Sequence, residues 1–431
     1  MTLTAPRAAD GSEPGGNPVA TLLRSRAGDH RPAYREGLTG RALTWADLAG
    51  RAGQWSAVLL EAAAGVAEPA PPGPRTRSST GSAVPRVGLL LGDPLEMAAA
   101  HLGGLAAGVT VAPLDPGATP GELRARTSTL GLTSVLLEAG EAARHDGWAG
   151  PHLELWEAWP DQPRLARARR AAPGATVGEA ALLLASSGTT GAPKVIPLDV
   201  DQLLHTARGV VEAHRLGPDD RGYSPLPLHH INGLVVGVLA ALVGGYELTV
   251  DRWFSASRFW DVAAANEVTW VNLVPAILGV LAHRDAPRPE VTARVRFARS
   301  ASAPLARATL RAFEVRTGIL VVETYGLTEA CSQVTANPPT GPGRRTGSVG
   351  VPVGVDLRVV DEWRAPLPPG LVGQVEIRGP SVVVSYWAPA GSDPPERPAT
   401  DPDGWLSTGD LGWIDGDGYV WLVGRVDDVI N

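Results

Sequence analysis

The chain has 431 residues, 44% of them hydrophobic and 19% charged, with a net charge of −7. That length buries a large core and divides into more than one lobe, and the negative balance gives no electrostatic reason to expect nucleic acid or an anionic membrane as partner. A single cysteine, Cys331, excludes an intrachain disulfide, argues against a thiolate zinc site and fits a reducing, cytoplasmic setting.

Residues 1–17, rich in Gly, Pro and Ala, predict a disordered tail without an apolar core of signal-peptide length. A helix follows around Val19–Ala27, then a short strand at Pro32–Glu36. Thr44 to Ala64 reads as a long amphipathic helix with Leu48, Trp55, Val58 and Leu59 as its apolar stripe. Glu68–Pro85 is a surface loop by composition. Next come a strand at Arg86–Leu91, a helix at Leu95–Ala107, a strand at Val109–Pro113, a helix at Gly121–Leu130 and a strand at Ser134–Glu138. Short apolar strands alternating with helices predict a mostly parallel sheet covered on both faces. The alternation resumes from Ala181 to Tyr325. Within it, Ile231–Gly245 is too short for a bilayer and predicts a buried helix. From about Gly347 helical periodicity stops, and Val349–Val353, Asp356–Val360, Gly373–Arg378 and Tyr419–Val423 read as strands. The expected fold class is α/β: two α/β lobes over 18–346, then a β-rich, distorted-barrel lobe over 347–424.

The most informative run is Leu183-Leu184-Ala185-Ser186-Ser187-Gly188-Thr189-Thr190-Gly191-Ala192-Pro193-Lys194. An apolar strand runs into hydroxyls, glycines and a lysine. Glycine lets the backbone approach a phosphate, hydroxyls and free N–H groups donate, and the lysine adds a point charge. Pro193 and Val195 exclude a Walker A loop. An ordinary Ser/Thr/Gly surface turn is the competing reading of this run taken alone.

The run resembles the signature of the adenylate-forming superfamily, which comprises acyl- and aryl-CoA synthetases, adenylation domains of peptide synthetases and luciferases. Further stretches match in the same order. Pro227–Gly233 (PLHHING) resembles the motif lining the acid pocket, and Arg299–Leu305 (RSASAPL) the adenine-side loop. Tyr325-Gly326-Leu327-Thr328-Glu329 resembles the YGxTE element. Ser407–Asp410 and Gly424–Asp428 resemble the ribose and hinge motifs. The likeness spans about 18–431.

The resemblance implies attack of a carboxylate on the α-phosphate of ATP with loss of pyrophosphate, a reaction served by preorganised donors and a metal ion. On that basis Ser186, Ser187, Gly188, Thr189, Thr190, Gly191 and Lys194 surround the phosphates, and Thr328 donates to the α-phosphate. Glu329 would ligate Mg²⁺, as a carboxylate beside phosphate oxygens suits a hard cation; a helix-start carboxylate is the plainer reading. Tyr325 and Gly326 would face adenine, opposite Ser302, Ala303 and Pro304, unless Tyr325 is simply core. Asp410 would accept the ribose hydroxyls with Arg425 beside it, although Asp after Thr-Gly is also a common turn residue. His230, Asn232, Gly233 and Val274 would line the acid pocket. His230 would border the route of the thiol acceptor, or else be a core histidine with a backbone partner. His229 stands where the resemblance implies an aromatic residue.

The HHINGL stretch lacks the aspartate with which amino-acid-activating members of that superfamily hold the amine and resembles acyl- and aryl-CoA synthetases instead. That implies a non-amino organic acid, with ATP and Mg²⁺ as cofactors and CoA as acceptor. A carrier protein is the alternative acceptor. A nucleotide-binding scaffold without chemistry is the alternative of another class. Asp427 matches the hinge, and Asn431 ends the chain four residues later. The resemblance implies a further small domain of roughly a hundred residues, absent here or supplied by a separate chain, and therefore adenylation only, at a slow rate.

Overall fold

The computed structural model describes residues 2–3, 16–64, 85–141, 145, 153–158, 164–167, 180–185, 194–388 and 394–427. Three sheets organise them, two of nine strands and one of five.

The first nine-stranded sheet has a parallel centre formed by Leu182–Ala185, Thr110–Pro113, Arg86–Leu90, Ser134–Glu138 and Glu154–Ala158. Arg86–Leu90 and Thr110–Pro113 are buried along their whole length, as apolar strands are when helices cover both faces of a sheet. The helix Pro94–Ala107 starts where the Asp93 carboxylate accepts from the N–H groups of Leu95 and Glu96, and it ends at Gly108 in the left-handed region. It packs on Trp45–Ala64, whose stripe Leu48, Trp55, Val58 and Leu59 is buried as the periodicity requires.

The second nine-stranded sheet carries the parallel neighbours Val321–Tyr325, Phe297–Ser300, Trp270–Leu273, Arg221–Ser224, Glu247–Val250 and Pro32–Glu36. Residues just beyond the carboxyl ends of four of these strands form the candidate site, which is where open α/β sheets bind ligands. The buried run after His230 is helical as expected, but Asn232–Leu239 takes the wider π form before Ala240–Gly244 returns to α. Such π segments gather at functional sites.

The third sheet is antiparallel: Thr2–Leu3, Asp356–Val360, Gly373–Arg378, Leu406–Ile414 and Val420–Arg425. Two expectations differ from this arrangement. Within 1–17, Thr2–Leu3 pairs with Leu357–Arg358, and the Asn17 side chain caps the helix Pro18–Arg26 by accepting from Val19 and Ala20. Residues 4–15 lie outside the described residues. Nor do the sheets divide at residue 347. Val351–Pro352 joins the second sheet, and Ser385–Trp387 with Glu396–Pro398 extends the first. These are short antiparallel strands at the sheet margins, which local patterning assigns to no particular sheet. Among the described residues, no helix is long and apolar enough to cross a membrane.

Candidate active site

Ser186, Ser187, Gly188, Thr189, Thr190 and Gly191 lie outside the described residues. Their flanks are well placed: Leu182–Ala185 and Val195–Leu198 pair antiparallel, with Ala185 opposite Val195. The run therefore links adjacent strand ends. Lys194, at the return, is half-buried, with Nζ 4.9 Å from the centre of the Tyr386 ring. The Tyr386 hydroxyl donates to Glu329 Oε1 at 3.4 Å. Glu329 is held from behind by its own carbonyl, which accepts from Val383 N–H at 2.9 Å. Lys194 and Glu329, distant in sequence, thus share one aromatic neighbour.

The Tyr325–Glu329 loop bends sharply. Gly326 is obligatory there, because a Cβ would stand 1.3 Å from the Ser332 carbonyl oxygen. The loop closes through Val334 N–H donating to the Tyr325 carbonyl and Ser332 N–H to that of Leu327, while Cys331 and Ser332 both take positive φ. Thr328 opens the short 3₁₀ turn Thr328–Ala330 and is half-buried. The Tyr325 hydroxyl donates to Asp410 Oδ2, and Arg425 Nη1 stands 3.3 Å from Asp410 Oδ1. Burial, then the Asp410 charge, pushes the Tyr325 phenol well above its ordinary range. Asp410 sits on Leu406–Ile414 opposite Arg425, in register across the sheet. A phenol, a carboxylate and a guanidinium therefore meet at the start of the loop, and at its end the Tyr386 side chain contacts both the Glu329 carboxylate and the Lys194 ammonium.

The acid-side and adenine-side motifs also meet. Asn232 Nδ2 donates to Ser302 Oγ at 3.2 Å. Ser302 holds φ +74°, strained for a residue with a Cβ, and it is exposed with Ala303 and Pro304. Gly233 is required by close approach, since a Cβ would lie 2.7 Å from the Pro227 carbonyl oxygen. Val274, half-buried, precedes the helix Pro275–Ala282. Below Asn232, Asn272 Nδ2 donates to Asn232 Oδ1 at 3.1 Å, and Arg299 donates to both asparagine oxygens.

His229 and His230 border a cavity of about 570 Å³ that Met97, Asp115, Arg252 and Trp253 also line. Their rings are 4.3 Å apart, and His229 Nε2 is 3.8 Å from Asp115 Oδ2. Burial, then the neighbouring His230, pushes His229 down to about 4, and burial also lowers His230. Both rings are neutral near pH 7. His230 is exposed rather than core, and faces this cavity.

Sequence reasoning placed Asn272 within a pocket segment, Trp270–Ala276, but missed Tyr386, Gln333 and the burial of Arg299. A signal existed for the last: Arg299 is a charged residue within a short, wholly buried strand, FARS. Among the described residues there is no cluster of three or more His, Cys, Asp or Glu to enclose a metal. A lone Glu329 fits a different arrangement, a cation carried mainly by phosphate oxygens, as is usual for Mg²⁺.

Three sheets with loops gathered at parallel strand ends form an α/β architecture, and solved structures share it. ATP-bound MatB from Rhodopseudomonas palustris superposes with a TM-score of 0.78 at 29% identity, over 96% of this chain and 79% of that one. The N-terminal domain of FACL13 from Mycobacterium tuberculosis, at 24% identity, shares the fold with a TM-score of 0.77 over 94% of this chain and 99% of that one. The family model of the AMP-binding enzymes matches residues 24–387, and the chain belongs to that family. It is 44% identical to the sulfoacetate–CoA ligase of Cupriavidus necator over 250 residues, 58% of this chain and 48% of the relative. It is 37% identical to the oxalate–CoA ligase of Arabidopsis thaliana over 257 residues, 59% of this chain and 49% of the relative. The chain spans about half the length of the curated relatives it matches.

Proposed function

We propose that this chain activates a short non-amino carboxylic acid with ATP, giving an acyl-adenylate and pyrophosphate, and that CoA is the acceptor of the acyl group. One observation carries the reading: within Tyr325–Glu329, an aromatic ring held against Asp410 and a carboxylate facing Tyr386, whose ring Lys194 also contacts, are only a few residues apart. Adenosine on the first side and polyphosphate on the second would then be one molecule lying across the loop. The relatives named above support the acid class, because sulfoacetate and oxalate are short, lack an amino group and carry a second acid group.

In this reading Tyr325 and the Ser302–Pro304 segment enclose adenine, and Asp410 takes the ribose hydroxyls with Arg425 beside it. The Ser186–Gly191 turn and Lys194 hold the outgoing phosphates, and Thr328 donates to the α-phosphate. A carboxylate oxygen of the acid forms a bond to the α-phosphorus while the bond to the bridging oxygen of pyrophosphate breaks. Charge moves onto the phosphate oxygens, and fixed donors already aimed at them lower the barrier. Glu329 would hold Mg²⁺, which when bound neutralises phosphate charge. His230, Asn232, Gly233 and Val274 border the acid, and the cavity beyond His229 and His230 is the approach for the thiol. The exposed Asp427, just past the last strand, is the pivot for movement. We place the reaction in the cytoplasm.

Labelled pyrophosphate should exchange into ATP only when a suitable acid is present. A panel of short non-amino acids, with amino acids as controls, checks this. No exchange with any of the short acids, or exchange with amino acids alone, contradicts the proposal. Acyl transfer to CoA against transfer to a phosphopantetheinylated carrier protein then decides the acceptor.

A further inference from the structure

Arg299 is a full positive charge in the core, on the strand Phe297–Ser300, and only 1% exposed. Its Nη1 donates to Asn232 Oδ1 at 3.2 Å and Asn272 Oδ1 at 2.9 Å, and its Nε donates to Gln333 Oε1 at 3.0 Å. The Gln333 oxygen also lies 3.0 Å from His214 Nε2. Among the described residues every partner is neutral, for burial pushes His214 down to about 3. Burial lowers Arg299 to about 9, which leaves it charged at neutral pH. The arginines nearby that have carboxylates are paired elsewhere: Arg296 with Asp220 and Arg344 with Glu314.

A buried cation tied only to amides is costly, since hydrogen bonds to neutral groups do not replace a counter-charge. Joining strands would not require that charge. The network leads outward at one place. Asn232, which accepts from Arg299, donates to Ser302, and Ser302 is exposed and strained at the wall of the proposed site. The positive potential of Arg299 therefore reaches the acid-binding region through two neutral side chains, in surroundings of low dielectric.

The reacting carboxylate is a poor recipient of this field. It loses its charge as it becomes the acyl-adenylate, so a cation placed for it would hold the ground state more tightly than the transition state. A second anionic group keeps its charge throughout. We propose that Arg299, acting through Asn232 and Ser302 as a positioning residue, makes this site select acids with a second anionic group, short dicarboxylates or sulfocarboxylates. The inference rests on the reading of the site as an acid-activating one. The two 3.2 Å hydrogen bonds through Asn232 set a second anion on Ser302 about 10 Å from the guanidinium, where at an effective dielectric of roughly 15–20 it gains on the order of ten- to a hundredfold in affinity.

The test uses matched acids that differ by one charge: malonate against its monomethyl ester, and sulfoacetate against methylsulfonylacetate. Calorimetry of the 431-residue chain first establishes affinity for a non-hydrolysable ATP analogue, then for each acid in its presence. The doubly charged member of each pair should bind ten- to a hundredfold more tightly. In Arg299→Met that ratio should collapse towards one, and Arg299→Lys should retain part of it. A ratio is insensitive to the fraction of folded protein. Should Arg299→Met fail to fold, the wild-type and lysine ratios still decide. Equal binding of both members, or an undiminished ratio in Arg299→Met, overturns this inference and leaves the proposed function standing. Absence of affinity for the ATP analogue overturns both.

Discussion

Asp410→Ala should weaken AMP binding by on the order of 10²–10³-fold in calorimetry, with little change in melting temperature. The carboxylate is mostly buried, 13% exposed in its side chain, and both oxygens are engaged, one by the Tyr325 hydroxyl and one by Arg425. A ribose diol would add two hydrogen bonds to a charged acceptor, each worth about 1.5–3 kcal/mol. Alanine would remove both and would also release the phenol that fixes the Tyr325 ring, so an orienting contribution is lost as well. The Arg425 pair contributes little stability, because Arg425 is about half exposed and solvent screens the pair. Asp410→Asn should lie between the two, since an amide keeps one acceptor without the charge. AMP affinity within threefold of wild type in Asp410→Ala would show that the ribose binds elsewhere.

The second large effect is expected at Glu329. Glu329→Gln preserves the length of the side chain, the acceptor for Tyr386 and the backbone bond from Val383, so the loop should keep its shape. The substitution removes one negative charge beside the proposed polyphosphate. With magnesium present, ATP affinity should fall on the order of tenfold. With magnesium chelated, variant and wild type should bind ATP alike, or the variant more tightly through loss of repulsion. Acid-dependent pyrophosphate exchange should fall about 10²–10³-fold, the usual effect of removing one contact that counts in the transition state. An equal loss of ATP affinity with and without magnesium would mean that Glu329 acts only as a structural group.

The parts of this architecture that depend on local patterning are legible in the sequence. Strands at Pro32–Glu36, Ser134–Glu138, Asp356–Val360 and Gly373–Arg378 stand where alternation and turn residues place them. Helix starts at Pro94 and Pro120 differ by one residue from the expected ones, because Asp93 and Thr119 cap them and proline takes the first position. Within the site, Tyr325 and Asp410 belong to separate motifs and prove to touch. Pairing over long distances is not legible in the same way. Arg299 finds Asn232 and Gln333 only because parallel strands and a π-helical turn bring them together. Tyr386 lies on a short strand, one in from the sheet's edge, whose sheet is set by pairing with Val195, and no periodicity in its own segment reveals that. His229, in sequence only a departure from the family pattern, takes its significance from Asp115 and the cavity they share.

If Lys194, Tyr325, Thr328, Glu329 and Asp410 converge on a single nucleotide, a crystal of the chain grown with ATP, magnesium and a short acid will show it. Adenine should lie against Tyr325, the ribose hydroxyls on Asp410 and the phosphates between Thr328 and Lys194, in one continuous density. Nucleotide density in the cavity beside His229 instead, or on any other surface, would mean that these five side chains do not share a ligand.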